Sequence, residues 1–517
     1  VKKTVARQNK FAPVIVAEYL SFEEFSKISF HLPELRGIDA DAGSVREYPY
    51  AEYFSHVLGY VNEPTEQEAV GDPVLQLPGF RIGRRGIEQH AEADLRGVEG
   101  NKQLEVNAFG QEVRKLSRQD QTPGKNVVLT IDADLQKFAM DRISESISGA
   151  AVLMDVHNGD ILALASEPGY DPNEFVVGLS QTRMDEYRND PRHPLFNKAV
   201  HGVYPPGSTF KMITALAVLE HGVMPPDEFV FCPGHMRLGN RTFHCWKRGG
   251  HGSMNMKLAL KHSCDVYFYE AAKRVGIDNL KRAAERLGLN KAHNFGIPGE
   301  KNGLVPNRGW KIANFGEPWQ QGETLIAGIG QGYTVASPVQ LAVMTARIAN
   351  GERAVRPRIF RSVGEAPAAP LEFEPLNIPK AHMDVVRAGM NAVTNEIGGT
   401  AYRSRIQETG LEMAGKTGTS QVRRISVAER ATGVRKNEEM PWELRDHALF
   451  VAYAPADRPR YAISVFVEHG GSGSKAAAPI AHDIMKQALL WDPIGRQAIA
   501  PVVADRPNGG GKDPGSA

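Results

Sequence analysis

The sequence predicts an α+β fold, an antiparallel sheet with helices inserted between its strands rather than a doubly wound parallel sheet. Three observations carry this. Apolar runs at 150–156 and 160–165 are joined through His157-Asn158-Gly159, and Asn-Gly between apolar runs is a strong hairpin signal. Three further strand-like runs appear near the C-terminal end, at 411–415, 448–453 and 461–468. Between the two groups the apolar spacing turns helical, most clearly at 208–221, where Phe210, Ile213, Leu216, Val218 and Leu219 form one face and Gly222 is a natural stop.

The remaining elements follow along the chain. Residues 1–122 are mixed and polar and carry no chemical motif. They hold a strand-like run, Val57-Leu58-Gly59-Tyr60-Val61, and a hairpin of 104–106 with 113–116 turning at Phe109-Gly110. Gln121-Thr122-Pro123-Gly124 reads as linker punctuation, so one domain is expected over 1–122 and a second over 123–500. The run 126–131 has the look of a buried strand, and Asp132-Ala133-Asp134-Leu135 starts a helix. Further helices are predicted over 256–262 and 265–275. The Gly/Pro-rich tail, 501–517, is expected to be disordered.

A chain of 517 residues suggests two or three domains and can bury a large core without staples. A formal net charge of +1 gives no bulk electrostatic reason for a nucleic-acid partner. Three cysteines are too few for a disulfide scaffold. No stretch approaches the roughly 18 apolar residues that cross a bilayer. The chain begins with Val1 in a charged stretch, and a trimmed natural N-terminus is expected.

Three short motifs carry chemistry. In Pro205-Pro206-Gly207-Ser208-Thr209-Phe210-Lys211, Ser208 stands where a helix begins, and Lys211, three residues on, shares its face. A serine hydroxyl needs a neighbour to take its proton, and a lysine with a lowered pKa can do so. The plain alternative is that Ser208 only caps the helix. Ser263-Cys264-Asp265 lies between two predicted helices and alone could equally be a cap. In Ala414-Gly415-Lys416-Thr417-Gly418-Thr419-Ser420, an ammonium and hydroxyls follow an apolar strand run, a donor set suited to a carboxylate-bearing substrate, and Gly418 allows a backbone to approach closely. Gly410 to Thr417 also matches the phosphate-loop expression, but its middle is strand-like and Thr-Gly-Thr-Ser-Gln after Lys416 is a poor helix start.

The order S-x-x-K, S-x-D, K-T-G-T is the signature of penicillin-binding proteins and class A β-lactamases. Within that superfamily the chain resembles the penicillin-binding protein 2 family, class B transpeptidases of rod-shaped cell elongation. The supporting stretches are Tyr204-Pro205-Pro206-Gly207-Ser208-Thr209, Gly328-Ile329-Gly330-Gln331-Gly332-Tyr333 with Ser337-Pro338, and Arg445-Asp446-His447-Ala448. Arg85-Gly86-Ile87-Glu88 and Val106-Asn107-Ala108-Phe109-Gly110 look like the family's pedestal domain. The resemblance implies a transpeptidase domain of the serine β-lactamase-like kind on an elongated, dimerisation-type pedestal. It implies that Ser208 attacks the penultimate D-Ala of a stem peptide, with Lys211 as base, Ser263 as proton relay and Lys416 in electrostatic support. Backbone N–H groups of Ser208 and Thr419 would form the oxyanion hole, and Thr417 and Thr419 would bind the carboxylate. Asp265 stands where many superfamily members carry Asn, and is expected to hold Lys211 or Lys416.

The resemblance further implies β-lactam inhibition, a SEDS-type glycosyltransferase and elongation scaffold proteins as partners, and an N-terminal membrane helix placing the enzyme in the periplasm of a Gram-negative cell. A β-lactamase, a D,D-carboxypeptidase, a bifunctional enzyme and a β-lactam sensor or scaffold are the competing readings. The intact Ser208, Lys211, Ser263 and Lys416 argue against a dead scaffold.

Cys232, Cys245 and Cys264 fall close together with His251, and Cys₃His is a recognised structural zinc set. The alternatives are three buried thiols, or His244 in place of His251. Relatives in the resembled family look to carry a metal at these positions. Four protein ligands leave no open position, so a structural zinc is expected, and Cys264 would tie it to the second motif.

Overall fold

A computed structural model describes residues 14–493 and 495, apart from 36, 39, 41–44, 73, 77–78, 99, 108–111, 424–428 and 430–433. The turn at Phe109-Gly110 and the tail 501–517 lie outside the described residues.

The central element is a five-stranded antiparallel sheet. Its strands, in chain order, are β1 (Gly149–Asp155), β2 (Ile161–Glu167), β3 (Ala414–Ser420), β4 (His447–Ala454) and β5 (Tyr461–Val467). The spatial order is β3-β4-β5-β1-β2, so the two ends of the domain's sequence meet where β5 pairs with β1. Every strand is buried on nearly every residue, and alternate side chains feed two cores. Ala151, Leu153, Phe450, Ala452, Ile463 and Val465 face the helices α1 (Ala133–Ser144) and α7 (Ala478–Trp491). Val152, Met154, Leu449, Val451 and Phe466 face a larger helical layer. That layer contains α2 (Lys211–Glu220), α3 (Met256–Lys261), α4 (Asp265–Val275), α5 (Pro338–Asn350) and α6 (Lys380–Asn395). Each fully buried Leu, Ile, Val or Phe contributes about 1.5–3 kcal/mol relative to exposure, so the sheet's two faces anchor the domain.

Several expectations are corrected. The segment 126–131 forms only a short strand, Val127–Leu129, which pairs with Phe360–Val363 in a separate small sheet and leaves Val128 exposed. Val57 and Leu58 are helical (Ser55–Leu58), with a strand only at Val61–Asn62; Gly59, at φ +78°, breaks the run. The strand predicted at 411–415 begins at Ala414 and runs through the whole Lys-Thr-Gly-Thr motif. The continuing strand after Lys416 excludes the phosphate loop, which requires a helix there. The helix α2 is buried on all sides through Leu219, rather than presenting a single apolar face. The hairpin at 101–106 and 112–119 and the helix at Asp265–Val275 form as expected.

The N-terminal part meets the sheet domain where the Asn173 side-chain amide pairs with the backbone of Tyr48. Tyr48 N–H donates to Asn173 Oδ1 at 2.9 Å, and Asn173 Nδ2 donates back to Tyr48 O at 3.0 Å. Among the described residues no helix is long and apolar enough to cross a membrane.

Candidate active site

The nucleophile's turn is built by its glycine. Gly207 has φ +54°, and a Cβ there would stand 2.4 Å from Thr419 O and 3.2 Å from Thr419 N. The turn therefore lies directly against β3. Gly207–Phe210 is a 3₁₀ turn, and the α-helix α2 starts only at Lys211. Neither element has a side-chain cap, so Ser208 is not the cap that the plain reading made it. The turn is fixed from the other side by Gly207 N–H donating to Gly330 O at 2.8 Å, and Gln331 Nε2 donates to Thr419 O at 3.0 Å. Gly418 serves this same contact. A Cβ on it would meet Thr209 Cγ2 at 3.0 Å and Pro206 O at 3.1 Å, so in this fold its missing side chain admits the nucleophile's own turn.

Ser263 is the hub. Its Oγ accepts from Lys211 Nζ at 3.2 Å and from Lys416 Nζ at 2.9 Å, and both lysines are fully buried. Ser263 itself holds φ +53°, a left-handed conformation that costs a non-glycine residue about 1–3 kcal/mol. Lys211 Nζ also donates to Ser263 O at 2.9 Å and to Asp265 Oδ1 at 2.7 Å. Of the two lysines that Asp265 was expected to hold, it holds Lys211. Burial pushes the Asp265 carboxyl up, and the Lys211 ammonium beside it pulls it back. Lys416 has no carboxylate within salt-bridge distance among the described residues, and donates instead to Ser263 Oγ and Thr417 O. Burial, reinforced by the Lys211 charge, holds its amine well below the usual lysine range. Thr417 is buried, with its hydroxyl on Thr400 Oγ1 at 2.9 Å, while Thr419 is half-buried.

The four predicted metal ligands converge. Cys232 Sγ, Cys245 Sγ, Cys264 Sγ and one ring nitrogen of His251 all lie within 4.8 Å of one another. His251 Nδ1 is 3.7 Å from Cys232 Sγ and 3.5 Å from Cys245 Sγ. Zn–S bonds of about 2.3 Å and Zn–N bonds of about 2.0–2.1 Å, set tetrahedrally, separate ligand atoms by about 3.5–3.8 Å, so the His251 contacts already match and the widest pair would close by up to about 1 Å. The donor chemistry, three buried thiols and an imidazole, fits zinc. A hydrogen bond shared with Cys264 holds the Cys245 sulfur well below the usual thiol range. His244 points elsewhere, with its ring 6.5 Å from that of His235. The cluster touches the hub, because Asp265 N–H donates to Cys245 Sγ at 3.4 Å.

Two residues at this site went unassigned in the sequence. Trp246 donates its backbone N–H to Asp265 Oδ2 at 2.8 Å and its indole N–H to Ser263 O at 3.0 Å. Its only signal was adjacency to Cys245. Gln331 lay in a stretch that carried the resemblance but had no role.

Comparison with known proteins agrees with this geometry. The family pattern described as the penicillin binding protein transpeptidase domain matches residues 149–486, and that of the penicillin-binding protein dimerisation domain matches residues 1–129. The peptidoglycan D,D-transpeptidase MrdA of Haemophilus influenzae is 33% identical over 94% of this chain and 76% of its own length. The crystal structure of Pseudomonas aeruginosa PBP2 in complex with WCK 5153 is 37% identical with a TM-score of 0.74, covering 86% of this chain and 90% of that one. The complex of Helicobacter pylori PBP2 with MreC is 31% identical with a TM-score of 0.81, covering 92% and 85%. With a paired-lysine serine site on a sheet of this topology and two domain patterns matched, the chain belongs to the penicillin-binding protein 2 family of peptidoglycan D,D-transpeptidases.

Proposed function

We propose that this chain cross-links peptidoglycan stem peptides through an acyl-enzyme on Ser208, in cell elongation and rod-shape maintenance. The observation that carries the reading is Ser263 Oγ held between Lys211 Nζ and Lys416 Nζ, beside the turn that bears Ser208. Ser208 Oγ attacks the carbonyl carbon of the penultimate D-Ala while Lys211, three residues on and in its neutral amine form, takes its proton. The carbonyl oxygen becomes an oxyanion facing the N–H groups of Ser208 and Thr419, which the Gly207 contact brings together. When the C–N bond breaks, the terminal D-Ala amine leaves with a proton delivered through Ser263, steadied by Lys416. An amine of a second stem peptide then attacks the ester, and the same groups run in reverse to release Ser208. Water in place of that amine gives a carboxypeptidase side activity. Asp265 keeps Lys211 oriented. Thr419, half-buried on the edge strand, and Thr417 behind it meet the substrate carboxylate, with Gly418 shaping the strand between them.

The Cys232, Cys245, His251 and Cys264 set would hold one structural zinc. Bound there, zinc supplies a fixed cross-link between the 230–252 loops and the start of α4, with no open position for chemistry. β-Lactams would acylate Ser208 as mimics of the D-Ala-D-Ala end. An MreC-like elongation scaffold and a SEDS-type glycosyltransferase are the partners proposed for the pedestal, and a membrane helix preceding it would hold the enzyme on the periplasmic face of the inner membrane.

The test is intact-mass spectrometry after adding benzylpenicillin, with Ser208→Ala as control. A persistent adduct of the whole drug, absent from the variant, is expected. An adduct that vanishes within seconds favours a β-lactamase, and none on folded protein sinks the acyl-enzyme reading.

A further inference from the structure

Trp246 is a large apolar side chain left 61% exposed, yet its orientation is fixed by polar contacts. The indole has a single donor, and here it is aimed inward, at Ser263 O (3.0 Å) and His262 O (3.2 Å). The backbone N–H of the same residue reaches Asp265 Oδ2 at 2.8 Å, so Trp246 grips the second motif at both ends. The ring packs edge-on against His251, with centroids 5.3 Å apart. What it grips is the one strained residue of the hub, for Ser263 sits at φ +53°. Lys211 Nζ reaches the same carbonyl from the buried side at 2.9 Å. A left-handed serine persists only when its surroundings over-determine it, and the two donors on its carbonyl do so from opposite sides.

We propose that Trp246 is a positioning residue for acylation: its indole N–H pins the Ser263 carbonyl, which keeps Ser263 Oγ between the two lysine amines. The proposal deepens the reading of Ser263 as proton relay and rests on it. Without the indole donor the Ser263 turn relaxes toward an unstrained conformation and its hydroxyl leaves the position shared by Lys211 and Lys416. Formation of the non-covalent drug complex does not involve this bond, whereas proton transfer does.

The test replaces Trp246 with phenylalanine and, by non-canonical incorporation, with β-(3-benzothienyl)alanine, which has the same shape but sulfur in place of N–H. The readouts are the dissociation constant of the initial benzylpenicillin complex, the first-order acylation rate and the melting temperature. Both variants should acylate about tenfold more slowly, with the dissociation constant and melting temperature close to those of the unmodified protein. In a Ser263→Ala background, which is itself slow, the same replacements should make no further difference. A benzothienylalanine variant acylating at the unmodified rate overturns the proposal, even if Trp246→Phe is slow, because ring shape then suffices. A further rate loss on top of Ser263→Ala overturns it too. If Ser263→Ala alone acylates normally, the relay reading fails and this proposal falls with it.

Discussion

Gly207→Ala separates the conformational cost of the nucleophile's turn from its catalytic consequence. At φ +54° an alanine costs about 1–2 kcal/mol in backbone strain wherever it sits. Here the added Cβ also stands 2.4 Å from Thr419 O, and ordinary contact begins at 3.4 Å. The turn and β3 must separate by about 1 Å, and a misplacement of that size costs about 100-fold in rate. It moves Ser208 N–H and Thr419 N–H, the two proposed oxyanion donors, apart. Gly222→Ala is the matched control, at φ +61° with nothing within 4 Å of its Cβ. The assay is the second-order rate of benzylpenicillin acylation by intact mass, alongside thermal melting. Both variants should lose about 1–2 kcal/mol to the backbone conformation, Gly207→Ala losing more through its clash with Thr419, and only Gly207→Ala should lose about 100-fold in acylation. A Gly207→Ala protein that acylates within about threefold of Gly222→Ala would refute the claim that this contact sets the oxyanion geometry.

Three further outcomes are expected. Lys416→Met replaces a fully buried, desolvated amine with an apolar chain of similar length, so melting temperature should hold or rise while acylation falls about 100-fold or more; a clear loss of stability in urea titration would contradict it. Burial raises the Glu167 carboxyl to about 7, with Lys198 opposing. A group bound more tightly to its proton in the folded state stabilises fully below its unfolded value of 4.5 and loses that contribution as pH rises through about 7. Glu167→Gln should therefore gain melting temperature relative to the parent between pH 5 and pH 8, and a constant offset across that range would be the contrary result. Elemental analysis of protein never exposed to chelator should find one zinc per chain, lost in Cys245→Ala, and stripping it should lower the melting temperature by roughly 5 °C or more; protein free of zinc with an unchanged melting temperature would remove the metal from the account.

The chemistry was more legible in the sequence than the scaffold around it. Ser208, Lys211, Ser263 and Lys416 announce themselves because their types and order are constrained by proton transfer, and the structure brings the two lysines onto one hydroxyl. The cysteines and His251 were found because thiols are rare in this chain and clustered. At Gly418 the sequence signals only that something approaches closely, and the structure shows the nucleophile's turn doing so. Beyond adjacency to Cys245, Trp246 gives no signal in the sequence, since its role depends on where a loop 17 residues before Ser263 returns in space. The strand at 126–131 was misplaced because apolar runs report burial tendency, not which sheet offers a partner.

The position of β3 in the sheet has its own consequence. It is an edge strand, paired with β4 on one side only, and its other edge faces the turn that carries Ser208. An unpaired edge ordinarily invites any extended chain to add to it. Here the turn at Gly207–Phe210 and the Gln331 amide lie along that edge, so a peptide adding there would have room for only a short length of strand before it met Ser208. Recognition of this kind reads the direction and extension of a backbone more than its side chains. The contacts that restrict pairing along this edge would thus be the ones that bring a peptide bond to Ser208 under the proposed mechanism.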